Sequence, residues 1–96
     1  MAQTLYPVVA DAAVFDQNVV LDPSMVPRRT VAVETFAVVG LTVDMELIVK
    51  PTTPLPAGLF LIGAVVSAVD ELQLVFWNTG NVNINPPSQT YHVKGL

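Results

Sequence analysis

His92 is the only histidine of the chain, and imidazole is the side chain best placed to move a proton near neutrality. A catalytic histidine needs a nucleophile or an orienting carboxylate within reach. Its sequence neighbours, Tyr91 and Val93, are ordinary strand residues, so His92 reads as a half-exposed strand histidine. Asp44 and Glu46 lie two apart and on a strand would share one face, an arrangement that can bind calcium or do acid–base work. No Asp-Gly calcium loop accompanies them. Met45, Leu47 and Val49 would occupy the opposite face, so the carboxylates read as solvated. Asp70-Glu71 reads as a hairpin turn. The chain has no cysteine, which removes thiolate metal sites, thiol nucleophiles and disulfides. We therefore expect no catalytic residues, no metal, no cofactor, and a protein that is not an enzyme.

The remaining polar signals concern contact rather than reaction. Asn78, Asn81, Asn83 and Asn85 cluster within eight positions. Asparagine amides can hydrogen-bond a sugar, but they also tolerate turn conformations and cap backbone groups, which is the local cause we favour. Arg28-Arg29 follows Pro27 and could clamp carboxylates on a partner. Arg28, Arg29, Lys50 and Lys94 are the only basic residues in a chain of net charge −4, which speaks against phosphate-driven nucleic-acid binding.

These residues must be positioned by strands. Eight prolines and five glycines interrupt 96 residues at strand-length intervals and leave little room for helices. Alternation and β-branched content predict strands near 14–21, 30–39, 43–50, 59–68, 72–78 and 89–94. Gly40 and the Asn78-Thr79-Gly80-Asn81 run mark bends, and Pro86-Pro87 forces an extended connection. Met1 to Ala13 reads as an extended arm. The expected fold is all-β: a single small antiparallel β-sandwich, jelly-roll-like or Ig-like, with an N-terminal arm. Residues 1–27 would form the arm and first strand and 28–96 the sandwich core, one domain overall. No apolar run reaches the about 20 residues of a membrane helix. The first residues lack the basic and apolar regions of a signal peptide.

Two strands are apolar on both faces. In 72–77, Leu72, Leu74 and Phe76 form one face, while Val75 and Trp77 join Gln73 on the other. In 30–38, Phe36 and Val38 oppose Val31 and Val33. A strand with one wet face should alternate apolar with polar. Charged residues are only 12% of the chain, against about 25% in an average soluble domain. Such a surface would be sticky on a lone monomer. Val31, Val33, Val75 and Trp77 are therefore the expected contacts between copies of the chain. Trp77 could instead be a core tryptophan under a loop.

Several ordered patterns are familiar. The runs Glu34 to Thr42, Leu47 to Pro51, Leu55 to Leu59, Gly63 to Ala68, Leu72 to Asn78 and Ile84 to Tyr91 resemble small virion proteins of tailed bacteriophages, and Leu21 to Pro27 fits the stretch preceding that core. Most of Leu21 to Val93 is covered. The resemblance implies a compact β-sandwich and a capsid decoration (cement) role, often as trimers on the outer shell. On that reading the partners are the major capsid protein and the chain itself, with no nucleic acid and no membrane. The chain would be made in the host cytoplasm and reside on the capsid surface. Leu5, Tyr6, Pro7, Arg28 and Arg29 would touch the shell. The sequence departs from the pattern at Arg28-Arg29, where small or polar residues are usual, and at Trp77, where an aliphatic residue is usual. The alternative is a tail or fibre module binding a host-surface glycan, with exposed aromatics near the Asn-rich end.

Overall fold

The computed structural model describes residues 14–96; the expected arm, Met1 to Ala13, lies outside them, and with it Leu5, Tyr6 and Pro7. Six strands form: β1 (Phe15–Leu21), β2 (Val31–Ala37), β3 (Leu47–Pro51), β4 (Leu59–Ala68), β5 (Glu71–Asn78) and β6 (Gln89–Gly95). They make two three-stranded antiparallel sheets, ordered β1-β6-β3 and β2-β5-β4. Strand 1 pairs with 6, 2 with 5, and 3 packs beside 4 across the sheets. That nesting is a hairpin folded over and wound on itself, the jelly-roll connectivity in six strands. β1 carries Phe15 and Leu21 into the core, so the first strand is part of the sandwich.

The period of two in each strand decides what is buried. Leu72, Leu74 and Phe76 of β5 and Tyr91 and Val93 of β6, the two central strands, are fully buried. Glu34 also points inward, in a row with Leu74 and Ala64. Its carboxylate is satisfied by the backbone N–H of Ser24, which donates to both oxygens at 2.9 Å. An inward carboxylate therefore fixes the segment between β1 and β2.

The β4–β5 hairpin turns at Val69-Asp70, with Asp70 at φ +60°, a conformation that Asp tolerates better than most residues. Asp70 also holds the bend after β2. Its Oδ1 accepts the Gly40 N–H at 2.8 Å, its carbonyl accepts Val38 N–H, and its own N–H donates to Leu41. Gly40 sits at φ +107°, and a Cβ there would meet the Phe15 ring at 3.1 Å.

One expected strand is shorter. The 43–50 strand begins only at Leu47, because Val43-Asp44 is a turn. Thr42 Oγ1 donates to Asp44 Oδ1 at 2.6 Å and Met45 N–H to the Thr42 carbonyl at 3.1 Å. Asp44 and Glu46 therefore do not share a strand face.

Candidate functional site: the two outer faces of the sandwich

The outer face of β1-β6-β3 is mostly polar, with Val20 and Ile48 its exposed apolar residues. Register sets His92 between Asn18 and Lys50, and Lys94 between Asp16 and Ile48. The structure supplies the partner that sequence neighbours could not. Asp16 Oδ1 lies 2.5 Å from His92 Nε2, with both side chains about half exposed. A shallow depression of about 410 Å³ beside them is lined by Asn18, Lys50, Pro51, Thr52 and His92. Among the described residues no group of three or more His, Cys, Asp or Glu side chains is placed to hold a metal.

The outer face of β2-β5-β4 has a different composition. Its first row is Val31–Trp77–Phe60 and its second Val33–Val75–Gly63. The next is Thr35–Gln73–Val65, and the last is Ala37–Glu71–Ala68. Val31, Val33, Val75 and Trp77 are thus two cross-strand pairs on one surface. Trp77 is 44% exposed and Val33 58%, so neither is core. The tryptophan-under-a-loop alternative does not apply. Phe60, Ile62 and Val65 of β4 extend the patch, and Phe60 lies against Trp77 with ring centroids 6.5 Å apart. The sequence reading gave this third strand its bounds but did not assign Phe60, Ile62 and Val65 to the face, since the register shift between Leu61 and Gly63 breaks their alternation. The face holds one charge, Glu71, at its far end, where its carboxylate accepts the Ser67 hydroxyl at 2.9 Å. A surface of this kind cannot do acid–base chemistry. It can remove apolar area from water, about 25 cal/mol per Å².

The Arg and Asn residues meet at the end of the sandwich where β2 starts and β5 ends. Arg29, at φ +53°, donates from its guanidinium to Asn81 Oδ1 through Nε (2.9 Å) and Nη2. The Arg28 backbone N–H donates to Asn83 Oδ1 at 3.0 Å. Asn78 is fully buried. Its Nδ2 donates to the carbonyls of Val26 (3.1 Å) and Val82 (2.8 Å), and its Oδ1 accepts the Gly80 N–H (2.9 Å). Asn78, Asn81 and Asn83 therefore brace loops, as expected of turn asparagines.

Burial raises the pKa of the Tyr91 hydroxyl above its ordinary value, and the nearby Glu34 charge adds to the effect. That hydroxyl has no hydrogen-bond partner among the described residues. The Thr42 hydroxyl bond holds the Asp44 carboxyl below its ordinary value. Both effects belong to the fold rather than to either outer face.

No protein-family model, no curated protein and no solved structure matches the chain.

Proposed function

We propose that the protein is a structural assembly module: a decoration (cement) protein that sits as an oligomer on the outer shell of a tailed-phage head and stabilises the expanded lattice. The observation that supports this reading is the largely apolar outer face of β2-β5-β4, with Glu71 its one charge at the rim, beside a mostly polar sister face on the same small sandwich. Contiguous exposed apolar surface on that scale marks a protein-contact site. The phage assignment itself rests on the resemblance of the ordered segments between Leu21 and Val93.

The mechanism is linkage. A module that binds only the expanded arrangement of shell subunits stabilises that arrangement by mass action, and several feet on one oligomer multiply the effect. Arg28 and the described end of the N-terminal region are the shell-facing elements in this proposal, and the apolar sheet face is the permanent contact. Arg29 is already engaged by Asn81, so Arg28 is the more available cation of the pair. The test is co-sedimentation of the purified protein with heads of the phage that encodes it, in expanded and unexpanded form. Saturable binding to expanded heads alone supports the proposal, and absence of binding to either form removes it.

A glycan-binding tail or fibre module is the second reading. It has one observation in its favour: the exposed Phe60–Trp77 pair abuts the Asn-rich end. The carbonyl oxygen of Asn81 takes two Arg29 nitrogens and that of Asn83 takes the Arg28 N–H, so their amide NH2 groups are the main groups left for a sugar. Binding on a glycan array that disappears in Asn81→Ala would favour this reading over the shell.

A further inference from the structure

We infer that the outer face of β2-β5-β4 is covered by the same face of a second copy of this chain, with Gly63 as the notch into which the opposing surface packs. The inference rests on the assembly reading and deepens it by naming the partner of that face; a same-face contact is two-fold, so it builds a dimer where the resemblance implies trimers.

Area comes first. Val31, Val33, Phe60, Ile62, Val65 and Trp77 each keep between 44% and 58% exposure. Together they offer on the order of 550 Å². The smaller residues between them bring the face towards the about 800 Å² per partner of a standard stable interface. Two such sheets stack at about 10 Å with interdigitating side chains, as the layers of a sandwich do.

Charge comes second. The chain carries net charge −4, so two copies repel unless they meet through a neutral surface. The described outward-facing strand charges, Asp16, Lys50 and Lys94, lie on the other sheet together with His92, and Glu71 stands at the rim of this one. A charged partner surface would lose its water here and find nothing to pair with. An identical neutral face loses nothing of that kind, and a self-contact makes one patch serve both sides.

Gly63 is the third observation. It lies in the middle of β4, opposite Val75, and its backbone is not in the left-handed region. A Cβ there would meet only Val75 side-chain atoms at 3.4 and 3.5 Å, an ordinary contact. Glycine in a strand interior often marks a bulge, and β4 shifts register between Leu61 and Gly63. The missing side chain also leaves a hollow beside Val75 on the outer face, which an opposing surface can fill.

The chain has no cysteine, so a single introduced thiol can only be bridged to another copy. The experiment uses the full-length protein and a short bis-maleimide on Val75→Cys, at the centre of the face, and on Asn18→Cys, on the polar face. Light scattering gives the mass of the unmodified protein. A mass above the monomer, with cross-linking at Val75→Cys and not at Asn18→Cys, is the expected result. Gly63→Thr should still fold, since its Cβ would meet only ordinary contacts, yet associate about 100-fold more weakly because its side chain fills the notch. A monomeric parent, equal cross-linking at both positions, or a Gly63→Thr protein that associates like the parent would overturn the pairing. A monomer that still binds expanded heads would leave the shell proposal standing and remove only this one.

Discussion

Asn78 joins three backbone segments through a single amide, and its replacement by alanine tests whether the Asn-rich end is a brace. The side chain is fully buried and makes three hydrogen bonds, to Val26, Val82 and Gly80. Each is worth about 1 kcal/mol net. The Val26 carbonyl keeps a second partner, the Ile84 N–H at 3.0 Å, and exposed Val82 can turn its carbonyl to water. The half-buried Gly80 N–H has no such recourse. Asn78→Ala should therefore cost about 2–4 kcal/mol, a large share of the about 5–15 kcal/mol that holds a domain folded. Urea unfolding should show a lower midpoint with an unchanged slope. Asn78→Asp is the sharper companion. It keeps the shape and the acceptor but removes both donors and sets a carboxylate against two carbonyls. Its folded-state pKa must then rise, so its deficit grows as pH climbs through that value and shrinks in acid, where the protonated group regains one donor. An Asn78→Ala protein within about 0.5 kcal/mol of the parent would refute the bracing role. So would an Asn78→Asp deficit that ignores pH.

Three further outcomes follow from the packing. Tyr91→Phe removes a buried, unpartnered hydroxyl and should leave stability unchanged or raise it by up to about 1 kcal/mol in a denaturant titration. The parent, whose Tyr91 pKa is raised, holds its stability up to the ordinary tyrosine value of about 10 and loses it as pH rises through the folded value. Tyr91→Phe should not show that alkaline loss. Thr42→Val removes the hydroxyl bond that lowers the Asp44 pKa, so a carboxyl NMR titration should find Asp44 moved up towards 3.8. The parent's small gain from this group, present above 3.8 and lost as pH falls through the folded value, should shrink in the same variant. Gly95→Ala sets a Cβ 2.8 Å from Met45 Sδ and 3.2 Å from Phe15 Cβ. The methionine can move, but the phenylalanine Cβ is tied to its strand, so thermal unfolding should report a loss of about 1–3 kcal/mol.

The strands most legible in the sequence are those whose burial follows a strict period of two. Leu72, Leu74 and Phe76 set β5, and the 59–68 strand has the expected bounds because Gly58 and the Val69-Asp70 turn fence it. Period also misled at one place. Val43, Met45, Leu47 and Val49 continue an alternation straight through a turn that is closed by the Thr42 hydroxyl on Asp44, a local side-chain bond that hydropathy does not register. The partner of His92 was illegible for another reason. Asp16 lies 76 positions away, and only the β1–β6 register brings the two together. Asn composition announced turns near residues 78–85, but not that Asn78 would be buried, because burial depends on where the 22–27 segment returns across that end. Glu34 was equally silent: its alternation with Ala32 and Phe36 points it inward, while the Ser24 N–H that makes this tolerable is a tertiary contact.

The two sheets provide an internal control for the exposed apolar face. They have the same number of strands, share one core and belong to one chain, so any general demand for solubility acts on both alike. One of them shows the usual protections against unwanted sheet contacts. Its edge strand β3 carries Lys50 and ends on Pro51, and its other edge, β1, carries Asp16 outward. The second sheet has edge strands β2 and β4, with neither lysine nor proline in them and no charge pointing out. Lysine, proline, outward charge and β-bulges on edge strands are the devices by which natural sheets avoid sticking to one another, and of these β4 has only the bulges, at its two register shifts. A chain that supplies charge and proline to one sheet and withholds them from the other is not short of the means. The difference is explained if the second sheet is covered while the protein works, since a covered edge and face need no defence and a charge placed there would oppose the covering.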